Sequence, residues 1–160
     1  MHQLANELKE TVKNAERELR AISAEASSKK GAPDKWSARE VLGHLIDSAA
    51  NNHGRFVRGA LEDDLVFPGY DQNRWVTVQR YQKRQWSELI DLWVVYNIHL
   101  AEVVAAIPEK DLKRQRLRHN FDQIAWRQVP ASEPSTLGYF IGDYIGHMRH
   151  HLDQIRAVVK

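Results

Sequence analysis

Four separate stretches of this chain repeat apolar residues every three or four positions, and none alternates apolar with polar residues over the length of a strand. A stripe of that period is the buried face of an amphipathic helix, and long helices must cover one another's stripes. In the first stretch, Leu4, Leu8, Val12, Ala15, Leu19 and Ile22 predict a helix over 3–26. Ser37 and Glu40 have the spacing of a capping box, which opens a second helix carrying Val41, Leu45, Ala49, Asn52 and Phe56 inward and fading near Gly59. A third helix runs from Trp86 through Leu89, Trp93 and Leu100 to Pro108, and a fourth from Ser135 or Thr136 to about Val159. Between the second and third, Asp71 is placed to cap a short turn through QNRWVTV. Residues 108–134 mix prolines with many charges and keep no period, which reads as a long excursion of turns or short strands. The fold expected is all-α: a single domain over 1–160, built as a four-helix bundle of antiparallel helices with a long connection before the last helix. That connection also permits a crossover.

Composition narrows the chemistry. The chain has no cysteine, which removes disulfides, thiolate metal sites and a cysteine nucleophile, so any metal must bind through His, Asp or Glu. The 23 basic and 21 acidic residues leave a net charge of +2. Even with Lys110, Lys113, Arg114, Arg116 and Arg118 close together, that charge does not imply nucleic acid, and no nucleic-acid motif accompanies it. No run approaches the roughly 18 consecutive apolar residues of a membrane span. The N-terminal MHQLANELKETVKNAE lacks the basic region and apolar core of a signal peptide. A cytoplasmic protein with neither a membrane nor a nucleic-acid partner is the expectation.

Of the 8 histidines, His147 and His151 lie four apart in GHMRHHLDQI, which stacks their rings on one helical face at a spacing suited to chelation. On a helical wheel Phe140, Tyr144, Ile155 and Val158 fall beside them, so the pair faces the bundle. His44 stands similarly at the border of the second helix's apolar sector, beside Val41, Leu45 and Ser48. Three imidazoles from two helices can then converge, leaving an open position of the kind a catalytic metal site keeps. His53 and His150 point elsewhere on their wheels and are expected in solvent, while nothing in the pattern sets the direction of His99 or His119.

The segment W-S-x-R-E-x-x-x-H-L-x-D at 36–47, YDQNRW at 70–75 and H-x-x-x-H-x-x-Q-I at 147–155 resemble, in order and over the whole chain, the DinB/YfiT-like superfamily of metal-dependent bundle proteins. The resemblance implies a four-helix bundle with ligands at His44, His147 and His151, frequent homodimers, and a relation to low-molecular-weight-thiol S-transferases and maleylpyruvate isomerase. Residues 108–134 depart from the pattern, which leaves the substrate undefined.

One divalent ion, Zn, Ni, Fe or Co, held by three histidines can acidify water or a thiol and so supply a nucleophile without a cysteine. Asp47, three residues after His44, and Asp143, four before His147, are candidates for orienting a ligand or moving a proton, the alternative being ordinary helix carboxylates. Tyr144 and Asn97 are candidate substrate contacts. Two functions follow: a metal-dependent enzyme acting on a small molecule, with thiol transfer slightly preferred over hydrolysis on the resemblance, or a metal-holding helical binding or dimerisation module without turnover. Gly138, Gly142 and Gly146 repeat every fourth residue in the last helix, each costing about 1 kcal/mol against Ala. They suggest close approach of another helix, from this chain or a second subunit.

Overall fold

A computed structural model describes residues 3–160. It contains α1 (Gln3–Ala21), α2 (Ala24–Ser28), α3 (Ala38–Leu61), α4 (Gln72–Gln79), α5 (Trp86–Ala106), α6 (Glu109–Lys113), α7 (Phe121–Ile124) and α8 (Leu137–Val158), with a 3-10 turn at Tyr81–Lys83. The four long helices form the bundle. Among the described residues there is no strand, only two isolated bridges, Leu65 with His119 and Arg116 with Ser135.

The helix ends follow side-chain chemistry. Ser37 accepts from the Glu40 amide while Glu40 accepts from the Ser37 amide, completing the capping box. Asp71 accepts from the Arg74 amide and opens α4. The first helix stops short of the expected Ala26. Ser23 instead caps α2 by accepting from the Ala26 amide, and Arg39 donates to the Ala24 carbonyl and Ser27 Oγ, holding the break. A serine side chain competes with the helix for backbone donors, and here a guanidinium from another helix favours the break.

Ion pairs define the directions. Lys9 meets Glu102 while Arg20 meets Asp91, so α1 and α5 are antiparallel. Glu7 with Arg149 and Glu18 with Arg156 make α1 and α8 parallel. Phe56 against Tyr144 and His44 against His147 make α3 and α8 antiparallel. It follows that α3 and α5 run parallel. Each of α1 and α3 packs on both α5 and α8, so consecutive helices α1 and α3 lie diagonally across the core. The expectation of four antiparallel helices is corrected here. Parallel neighbours need a return along the bundle, and residues 62–85, rather than 108–134, supply it.

The 108–134 excursion lies against α8. Gly138 and Gly146 face this chain's own link: a Cβ at Gly138 would stand 3.0 Å from the Leu112 carbonyl oxygen, and one at Gly146 3.0 Å from the Trp126 ring. A Cβ at Gly142 would meet only Leu4, at 3.9 Å. The close approach expected of the glycines is therefore made by a loop and a short helix of the same chain. Phe121 stacks on Phe140 at 4.5 Å between centroids, and Arg116 donates to the Gly59 carbonyl, pinning the link between α3 and α8. Of the described helices only α5 is long and apolar enough to cross a membrane by length and composition. It packs on α1 and α3, with Trp93, Leu100 and Val104 enclosed.

Candidate metal centre

His44 lies in the first half of α3, and His147 at the middle of α8 with His151 one turn further on; because the two helices are antiparallel, the three residues meet. The three rings converge. His44 Nε2 is 3.3 Å from His147 Nε2, and His151 Nε2 is 3.0 Å from the same atom. One ligand nitrogen from each ring lies within 4.8 Å of the others, and among the described residues no further His, Cys or carboxylate joins the group. Two nitrogens bound at 2.0–2.1 Å to a tetrahedral ion stand about 3.3 Å apart, so the spacing is that of a ligand set.

Proton counting points the same way. His151 Nδ1 donates to Gln154 Oε1 at 2.7 Å, which fixes its proton there and leaves Nε2 as a bare lone pair. His147 Nε2 carries at most one proton and faces two other Nε2 atoms. In the neutral rings His147 Nε2 makes a full hydrogen bond with at most one of the two, so the other contact is left without a shared proton, whichever tautomer His147 and His44 adopt. Protonation does not resolve the conflict. Burial pushes His44 and His147 down to about 3 from the ordinary 6.5, reinforced by the neighbouring His151, and burial lowers His151 against the opposing bond from Gln154. A cation is the remaining partner that three inward lone pairs accept.

The surrounding residues divide sharply. Asp47 is buried, and its Oδ1 accepts from Gln79 Nε2 and lies 2.7 Å from the Tyr81 hydroxyl, while Oδ2 has no partner. The buried His44 Nδ1 likewise has none. Asp143, the other expected carboxylate, is turned away to the excursion, where its two oxygens accept from the Trp126 and Arg127 amides at 2.8 Å each. Tyr144 donates to Asn97 Oδ1 and Asn97 donates to the Trp93 carbonyl, so both expected substrate contacts are spent on each other inside the core. His119 is closed as well, its Nε2 donating to the Glu133 carbonyl and its Nδ1 accepting from the Phe121 amide. His53 stands apart beside Tyr96 and His99, and His150 lies against Trp126. A cavity of about 530 Å³ near Arg39 and Trp86 is not lined by the three rings, so convergence of donors, not volume, locates the centre.

Gln154, Gln79 and Tyr81 were not singled out by sequence reasoning. Gln154 had a usable signal in its i+3 spacing from His151. Gln79 and Tyr81 had none, since their approach to Asp47 depends on where the 62–85 connection returns.

A profile of the DinB superfamily matches residues 2–155. Over 125 residues, 78% of this chain, the sequence is 27% identical to an Oceanobacillus iheyensis protein named "putative metal-dependent hydrolase". A Bacillus cereus protein of the same name is 24% identical over 131 residues. The alignments cover 66% and 65% of those proteins, so this chain spans just under two thirds of their length. Among solved structures, YfiT from Bacillus subtilis, described as "a probable metal-dependent hydrolase with an unusual four-helix bundle topology", has a TM-score of 0.77 at 18% identity, covering 98% of this chain and 83% of that one. That likeness is one of fold.

Proposed function

The chain belongs to the DinB superfamily, and from that premise we propose that it is a metal-dependent enzyme that activates a nucleophile against a small molecule at His44, His147 and His151. The observation that carries this reading is the meeting of three Nε2 atoms, one of them with its tautomer set for coordination by Gln154. A divalent ion held there would supply a Lewis acid with a position left for water, a thiol or the substrate. The chain's own residues hold the rings neutral by burial and orient His151 through Gln154. Hydrolysis is supported by the names of the sequence relatives, and transfer of a low-molecular-weight thiol by the motif resemblance.

The deciding experiment supplies metal-loaded protein with thiols plus electrophiles and, separately, with esters and amides, beside the His151→Ala and metal-stripped forms. Turnover lost in both controls supports the proposal. Turnover that survives metal removal overturns it, and metal retention without turnover across the panel assigns the chain to a metal-holding binding module instead. A homodimer completes the proposal. Its support is the resemblance alone, since the glycine ridge is occupied by this chain's own link, and light scattering tests it.

A further inference from the structure

Asp47, Gln79 and Tyr81 form a closed ring of three short contacts. Gln79 Nε2 is 2.7 Å from Asp47 Oδ1, Asp47 Oδ1 is 2.7 Å from the Tyr81 hydroxyl, and that hydroxyl is 2.8 Å from Gln79 Oε1. Each contact needs one proton between its atoms. The Gln79 amide fills one, and the Tyr81 hydroxyl, with a single hydrogen, fills one of the other two. An ionised Asp47 has none to give, which leaves two oxygens facing each other bare at hydrogen-bond distance. Reversing the Gln79 amide moves the bare pair to Asp47 and Gln79 without removing it. Only a protonated carboxyl closes the ring.

We infer that Asp47 is a neutral carboxylic acid in the folded protein at pH values where a free aspartate is ionised, its proton lying between Oδ1 and the Tyr81 hydroxyl, whose own hydrogen goes to Gln79. The fold is built around this grip. A Cβ at Gly43 would lie 2.2 Å from the Tyr81 ring, so the glycine at this point of α3 is what lets the tyrosine reach the next turn of the helix. Arg80, between the two gripping residues, has φ 54° and is the only non-glycine residue with positive φ among those described. That left-handed step separates α4, which carries Gln79, from the turn that carries Tyr81. Oδ2 is buried without a partner, a position a carbonyl oxygen tolerates better than a carboxylate oxygen. The side-chain partners of Asp47 are the neutral Gln79 and Tyr81, and the charged and titratable groups facing this cluster are Tyr70, Arg55 beside Tyr70, and Arg84 beside Tyr81. Burial is the largest influence on Asp47 and on Tyr81 and raises both above their ordinary values, outweighing the donor bonds from Tyr81 and Gln79 that lower Asp47.

A neutral acid one helical turn after His44 would leave undiminished the charge of a divalent ion held by three neutral imidazoles, and so would favour an anionic ligand, a thiolate or a carboxylate. That consequence rests on the metal-centre reading; the protonation of Asp47 does not.

Carbon-detected NMR of the Asp47 carboxyl in full-length metal-free protein at pH 5, where a free aspartate is ionised, tests it. The carboxyl carbon is expected at its protonated position, and the ionised position would overturn the inference. Thermodynamics gives a second reading. Because the folded group keeps a proton that the unfolded group releases, stability falls as pH rises above the unfolded pKa of about 4. The unfolding constant of the wild type should rise relative to Asp47→Asn by up to tenfold per pH unit (~1.4 kcal/mol) from about pH 4 upward until the folded group ionises. A constant ratio across that range would overturn the inference. Should the Asn variant not fold, the wild-type NMR measurement decides alone. Failure to bind metal would sink the proposed function and leave the NMR result standing.

Discussion

The residue-scale consequence of the centre is a division of labour around each imidazole. Gln154 touches no ion position itself but fixes the His151 proton on Nδ1, so Gln154→Ala should weaken binding of a divalent ion roughly 10–100-fold, measured by competition against a chelator. His147→Ala should cost more than that, whereas His53→Ala and His150→Ala should leave affinity nearly unchanged, and equal losses at all four positions would contradict the assignment. The pH response is also specific. An unshifted histidine ligand weakens metal binding by about tenfold per pH unit below 6.5, because the ion must displace its proton. With His44 and His147 held down to about 3, the folded protein has little to displace, and its metal affinity should stay nearly flat from about pH 7 to 5. The protonation cost moves to folding instead. Below 6.5 the unfolded rings take protons that the folded rings refuse until about 3, so these two residues make metal-free stability fall as pH drops through that window. Denaturant titrations of His44→Gln against wild type should show that slope reduced.

At the scale of elements, α3 is the scaffold that joins the centre to its surroundings, and two of its three glycines, Gly43 and Gly54, do opposite things. Gly54 has nothing within 4 Å of a Cβ and is exposed, so Gly54→Ala should stabilise the protein by about 0.5–1 kcal/mol through helix propensity. Gly43 has the Tyr81 ring 2.2 Å from its Cβ position, so Gly43→Ala should destabilise by about 1–3 kcal/mol as the tyrosine is driven off Asp47. Chemical denaturation of both variants checks the pair, and a stabilising Gly43→Ala would mean that Tyr81 is not seated where the structure has it. The same logic explains α8. Its glycines are spaced as a helix-packing ridge, yet what fills two of them is the carbonyl of Leu112 and the ring of Trp126.

For the whole molecule, the candidate metal ligands tie together α3 and α8 through His44 and His147, 103 residues apart in the chain. An ion that binds only the folded state adds to its stability by mass action, about 2.7 kcal/mol at a hundredfold excess over Kd. For a domain of this size that corresponds to a rise in Tm of roughly 5–10 °C, reversed by a chelator and absent in His147→Ala. Calorimetry with and without Zn, Ni or Fe checks this. An unchanged Tm at saturating metal would show that the rings do not hold the ion across the two helices.

Periodicity and local chemistry belong to neighbours in sequence, which is why four helices, the Ser37–Glu40 box and the Asp71 cap were legible from the residues alone. The candidate ligands were legible for the same reason: a four-residue spacing puts His147 and His151 on one face, and the border of an apolar stripe placed His44 inward. Direction and diagonal placement were not. Whether α3 and α5 run parallel depends on the path of residues 62–85, whose polar sequence carries no period to reveal it. That path delivers Gln79 and Tyr81 to Asp47, and the path of 108–134 takes Asp143 from the centre to hold Trp126 and Arg127. A carboxylate's partner is set by whichever donor the tertiary fold brings within about 3 Å, and helical spacing says only which way the carboxylate faces.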